Sequence, residues 1–268
     1  MAAGPTTQEP RAPRAPKDPS ARPSGSPGGS GPLGRRRGPR ALIAAVAALA
    51  LGAGGVWAFY GSDWLRAEDV KTSGTKVLTR AEVEAAAAVP LGSPLVSVDT
   101  DAIEARLLDR LPRIDAVEVS RSWPHGIDLK VTERKPVLLV EKGGKFIEVD
   151  AGGVRFATVD QPPAGVPRLV MNVSGSPSLR RFDADRLLME AVGVTGELPR
   201  KIARDVRVVK VASYDSVTLE LDRGRTVFWG SGEEGDMKAR VLAALMKAEP
   251  EAGHFDVSAP TAPAASRS

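Results

Sequence analysis

No charged residue occurs from Ala41 to Tyr60, and this run precedes a long stretch whose apolar positions recur at helix or strand spacing. Twenty helical residues rise about 30 Å, the thickness of a bilayer's hydrocarbon core, so residues 41–61 predict a single N-terminal transmembrane helix. Beyond it, residues 69–72 form a short candidate strand closed by Ser73 and Gly74. Thr79 and Glu82 have the spacing of a capping box and predict a helix to Ala88. A second helix over 101–111 places Ile103, Leu107, Leu108 and Leu111 on one face, and Pro112 stops it. Val117 and Val119 alternate with polar neighbours, as do Ile127, Leu129 and Val131, which predicts a hairpin around a turn at 123–126. Residues 62–134 thus read as a small α+β unit of order β-α-α-β-β.

From Pro136 onward the signals are mostly β. Apolar runs at 137–140, 146–149 and 154–158 are separated by glycine turns and predict a meander. A helix over 183–195 follows, then strands over 206–211, 217–221 and 226–229. The next helix, 233–248, is expected to turn Met237, Val241, Leu242, Leu245 and Met246 inward and Lys238, Arg240 and Lys247 outward. Glu233, Glu234 and Asp236 are expected to cap its positive end. A last short strand comprises His254, Phe255, Asp256, Val257 and Ser258. Residues 135–258 therefore read as a mixed β domain with two helices. The Pro/Gly/Ser-rich head, 1–40, and the tail, 259–268, are expected to be disordered.

Charge assigns sides to this plan. The net charge is +4, but residues 1–40 carry eight Lys/Arg against two acidic groups, and residues 61–268 carry 29 against 31. Arg35, Arg36, Arg37 and Arg40 flank the apolar run, so the head is expected in the cytoplasm and the folded part outside. Trp57, Tyr60 and Trp64 then fall at the outer interface, where amphipathic rings favour the headgroup layer. The competing reading is a cleaved signal peptide with a site at Ala48-Leu49-Ala50. The near-neutral outer part argues against a nucleic-acid partner. Cysteine is absent, and the two histidines, His125 and His254, are far apart in sequence. No nucleotide, hydrolase or metalloprotease motif stands in a fitting context. No catalytic, cofactor or metal-binding residue, and no small-molecule substrate, is expected.

Specific residues also carry a resemblance. Gly74, the 91–95 connector, Arg121-Ser122-Trp123-Pro124, Glu133-Arg134-Lys135-Pro136, the Val149-Asp150 pair and Gly153 resemble the POTRA and β domains of the FtsQ (DivIB) family of bacterial division proteins. On the residues alone, Trp123 and Pro124 read as a turn with an aromatic lid. Glu133 and Arg134 read as ion-pairing residues that fix the passage between domains. The resemblance implies a non-enzymatic, single-pass scaffold of the septal division machinery, with its N-terminus cytoplasmic. It also implies partners of the FtsB (DivIC)/FtsL type, bound by strand addition, and contacts with other septal membrane proteins and the lipid bilayer. Residues 254–258 are the candidate docking edge, with side chains near Phe255 supplying selectivity. Two alternatives stand beside it: a POTRA-bearing chaperone or secretion receptor, and an anchored cell-wall enzyme that uses carboxylates alone.

Overall fold

Local signals set most of the elements. A computed structural model describes residues 39–61, 65–171 and 183–267. The expected head, 1–40, lies almost wholly outside the described residues, as do Arg35, Arg36, Arg37 and Trp64. The first helix, α1, spans Pro39–Gly61, and its described apolar side chains are exposed, Leu42, Ile43, Leu49 and Trp57 among them. Among the described residues no helix is long and apolar enough to cross a membrane, the side chains of α1 being described without interruption over 41–57.

Strand β1 (Asp69–Ser73), helices α2 (Arg80–Ala87) and α3 (Thr100–Arg110), and strands β2 (Ile114–Ser122) and β3 (Gly126–Glu133) follow in the expected order. Both helices begin at side-chain caps. The Thr79 hydroxyl accepts from the Glu82 N–H at 3.2 Å while the Glu82 carboxylate accepts from the Thr79 N–H at 2.7 Å. One oxygen of Asp99 accepts from the N–H groups of Asp101 and Ala102 at 3.1 and 3.0 Å. Such caps contribute about 1 kcal/mol each. The sheet order is β1-β3-β2, with β1 parallel and β2 antiparallel to the central β3. Ile127, Leu129 and Val131 of β3 bury against Val83 and Ala87 of α2 and Ile103 and Leu107 of α3. Arg121 ties the sheet to the helix connector by donating to the carbonyls of Leu95 and Val98 at 3.1 and 2.6 Å.

A nine-stranded mixed sheet makes the second part. Its strands are β4 (Leu138–Lys142), β5 (Lys145–Val149), β6 (Arg155–Val159), β7 (Arg168–Met171), β8 (Val206–Ser213), β9 (Ser216–Leu221), β10 (Thr226–Gly230), β11 (His254–Asp256) and β12 (Ala264–Ser266). Their spatial order is β12-β11-β10-β9-β8-β7-β4-β5-β6. Alternation in β9 buries Val217, Leu219 and Leu221 on the face that α4 (Ala184–Glu197) and α6 (Gly235–Ala248) cover, around the fully buried Trp229. The α+β class is the expected one. Three details differ. A short helix α5 (Arg200–Asp205) adds a third helix to the expected two. The tail expected to be disordered contains β12. Finally, α6 turns Val241, Leu242, Leu245 and Met246 to the core as expected, but Lys238 is only 2% exposed and Met237 40% exposed.

The burial of Lys238 has partners to support it. Its ammonium donates to the Ser231 carbonyl at 2.7 Å. Burial pushes its pKa down, and the carboxylates of Glu234, Glu233, Glu197 and Glu190 oppose that push. Glu197 is shifted the other way, upward, first by burial and then by Asp236 and Glu190. Glu233 and Glu234, with Glu190 and Glu197 of α4, thus favour the charged form of a buried cation. Glu234 occupies the N-cap position of α6 with φ +57° and Asp236 its first turn, as expected of charges at a helix's positive end, but Glu234 makes no side-chain capping bond.

Ion pairs join the two parts. Arg113 donates to Glu148 at 2.6 Å and its guanidinium lies 5.2 Å from the centre of the Phe156 ring. Arg134 donates to Asp150 at 2.5 Å and also pairs with Asp115 at 3.1 Å. Both Glu148 and Asp150 are buried, and removing Arg113 takes from Glu148 its ion-pair partner, a change that costs about 3–5 kcal/mol. Burial pushes the Asp150 carboxyl up, but the bonds from Arg134 and from the Val154 and Gly152 N–H groups outweigh it and hold the pKa below the usual range. Glu133, expected to ion-pair across this junction, instead accepts from the N–H groups of Lys76, Val77 and Leu78 at 2.7 to 3.1 Å. It fastens a loop within its own domain, because three converging amides satisfy a carboxylate as well as a cation does.

Candidate functional site

An open sheet edge is a site because its outer row of N–H and C=O groups has no partner within the chain. Strand β11, the expected edge, is flanked on both sides: parallel to β10 through Val227 and Phe255, antiparallel to β12 through Ala265 and Phe255. The open edge therefore lies one strand further out than residues 254–258. The sequence hides this strand because Ala264-Ala265-Ser266 has neither bulk nor alternation. Its pairing to β11 is main-chain chemistry that side-chain patterns do not report.

Strand geometry fixes which groups face outward. The Ser266 carbonyl accepts from the Gly253 N–H at 3.0 Å, so the peptide groups of Ser266 face β11. Alternation along a strand then turns the N–H and C=O of Ala265 to the open side. Among the described residues no strand pairs with that side.

The two faces beside the edge differ. Phe255, 3% exposed, and Val257 point into the core with Trp229 and Leu242, so of the candidate edge residues these two face inward. His254 and Asp256 lie on the opposite, solvent face. There they flank a shallow hollow with Thr218, Thr226 and the 38%-exposed Phe228. The Thr226 hydroxyl and His254 Nδ1 are 2.6 Å apart. Asp256 ends the strand by accepting from the Ser258 N–H and hydroxyl at 3.0 and 2.7 Å. The edge thus presents a free main-chain row beside a hollow whose exposed aromatic, Phe228, lies two strands in on β10, a placement that the sequence does not report.

The opposite edge, β6, is blunted. Arg155 pairs with Asp185 at 2.9 Å, Asp160 pairs with Lys145 at 3.1 Å, and Pro162-Pro163 follows directly. Charge and proline are the usual protections of an edge.

The remaining motif residues have structural settings. Gly74 has φ +85°, and a methyl group there would run into the Val131 carbonyl. Gly153 has φ +77° and lies against the Met189 sulfur. Asp150 closes the 150–154 turn, its Oδ1 accepting from Gly152 and Val154. Pro136 lines the apolar hollow beside α4. Pro124 sits in the β2–β3 turn, and Trp123 is exposed on about half its surface, more than a lid over the hairpin would be. Trp57 and Tyr60 are exposed on α1. His125 lies in the β2–β3 turn and His254 in β11 of the nine-stranded sheet.

The chain is similar to known proteins. The family described as "POTRA domain, FtsQ-type" matches residues 65–134. The chain is 69% identical to the cell division protein FtsQ of Streptomyces venezuelae over 271 residues, covering all of both chains. It is 70% identical to the protein of the same name from Streptomyces griseus over 208 residues, covering 78% of this chain and all of that one. A solved structure, the trans isomer of the major extracytoplasmic domain of DivIB from Geobacillus stearothermophilus, matches with a TM-score of 0.32 at 17% identity. That match covers 44% of this chain and 94% of the other.

Proposed function

Because the chain belongs to the FtsQ family of bacterial cell division proteins, we propose that it is a non-enzymatic, single-pass scaffold of the division septum that captures FtsB/FtsL-type partners by strand addition. The observation that carries this reading is the unpaired outer side of β12, at the end of a sheet whose other edge is guarded. A partner strand would bond to Ala265, and the Phe228 hollow would take one of its side chains. The acceptor strand is β12, with residues 254–258 behind it as its support.

Support for the anchor comes from α1. No charge occurs between Arg40 and Asp63, and the described apolar side chains of the helix are exposed in the isolated chain. Lipid would cover them. The arginines at 35–40 keep the head on the cytoplasmic side, and both sheets stand outside.

Ala265→Pro tests the docking edge. Proline removes the outward donor and leaves the inward bonds to β11 in place, a substitution that edge strands tolerate. With the full chain in detergent, affinity for the outer segments of the FtsB/FtsL-type pair should fall about tenfold or more, since a lost bond and a ring in the pairing plane together exceed about 1.4 kcal/mol. Unchanged affinity in a folded variant would move the site elsewhere.

A further inference from the structure

Two loops of the three-stranded domain converge on the segment that leaves α1, and both carry exposed apolar side chains. The Ala67 N–H donates to Ser93 at 2.9 Å, the Gly92 N–H donates to Ala67 at 2.7 Å, and Arg66 bridges to Pro94. On the other flank, the Glu68 and Asp69 N–H groups donate to the His125 carbonyl at 2.8 and 3.2 Å. The parallel register of β1 with β3, Asp69 opposite Gly126, fixes this end of the sheet. Residues 66–69 are therefore clasped between the 91–94 loop and the 123–125 turn. Leu91 on the first loop is 59% exposed and Trp123 on the second is 51% exposed.

Chain length decides what these side chains meet. From Gly61, the last residue of α1, to Arg66 is five residues, which reach at most about 18 Å when fully extended. The headgroup layer beyond the hydrocarbon core is itself about 5–8 Å thick. Tryptophan favours that layer, having a large apolar body and one polar N–H. Resting on the anchor reading above, we infer that Leu91 and Trp123 form a membrane-resting surface that seats the three-stranded domain on the outer leaflet. Its ligand is the lipid interface, and Glu68 and Asp69 beside it limit how deeply it sinks. The surface sets the tilt of this domain, and through the Arg113 and Arg134 ion pairs the direction in which the second sheet projects.

The absence of cysteine makes the test clean. Single-cysteine variants of the full chain, Leu91→Cys, Val77→Cys and Ala47→Cys, are spin-labelled and reconstituted in phosphatidylcholine/phosphatidylglycerol vesicles. Accessibility is then measured to oxygen, which concentrates in lipid, and to a water-soluble nickel complex. Val77 is the control, 65% exposed on the loop held by Glu133, at the opposite end of β1. The expected oxygen-to-nickel ratio at 91 is several-fold above that at 77, and it falls to the value at 77 when Trp123→Ser is added. A ratio at 91 equal to that at 77, with position 47 lipid-embedded, overturns the resting surface and leaves the anchor standing. An aqueous position 47 overturns both.

Discussion

Gly74→Val is expected to unfold the three-stranded domain. The residue lies just after β1 at φ +85°, where a β-branched side chain is a steric outlier, and the backbone strain alone costs about 1–3 kcal/mol. The added carbons would meet the carbonyl of Val131 on the central strand β3, which is pinned on both sides by β1 and β2. Overpacking of that kind costs a further ~1–3 kcal/mol. Against a total stability of about 5–15 kcal/mol, the sum consumes a large share in a small domain. Urea unfolding of the detergent-solubilised chain, followed by far-ultraviolet circular dichroism, should show the midpoint fall by a wide margin. A midpoint within error of the parent would mean that this turn relaxes freely and that the glycine is dispensable.

Phe255→Lys is expected to disrupt the end of the large sheet, and partner capture would be lost with it. Phe255 packs among Val227, Trp229 and Leu242, and removing a buried phenylalanine costs about 3–5 kcal/mol before the charge is counted. A lysine ammonium there would have no partner of the kind that Lys238 finds in Ser231. The damage spreads because β11 is the template on which β12 pairs. Hydrogen exchange at 254–257 and 264–266 should rise to near that of an unfolded chain. Retained protection would contradict the placement of Phe255 in the core.

The sequence made these elements legible unevenly, and the reasons are physical. Period-two alternation in β2, β3 and β9 and the capping box of α2 are local, so they could be read before any fold was known. The order of the nine strands could not, because β7 joins β4 to β8 through parallel pairings that side chains do not encode. Lys238 shows another limit. It shares a helix face with Leu242, four residues on, but a lone cation is assigned outward unless the carboxylates that surround it, from α4 and the 231–234 turn, are already known to be near. Glu133 was legible as important but not in its role, since its partners are backbone amides more than fifty residues away. The outermost strand was not legible, because the small side chains of Ala264-Ala265-Ser266 carry no alternation; the sequence marked only 254–258, whose strand β11 pairs with it.

Under the proposed function a partner strand pairs with the outward groups of Ala265. Residue-resolved hydrogen exchange on the full chain, with and without the outer segments of the FtsB/FtsL-type pair, tests it most directly. Strong new protection is expected at the Ala265 amide on binding, with the β6 amides unchanged. Saturating binding that leaves Ala265 unprotected, or that protects β6 instead, would contradict it.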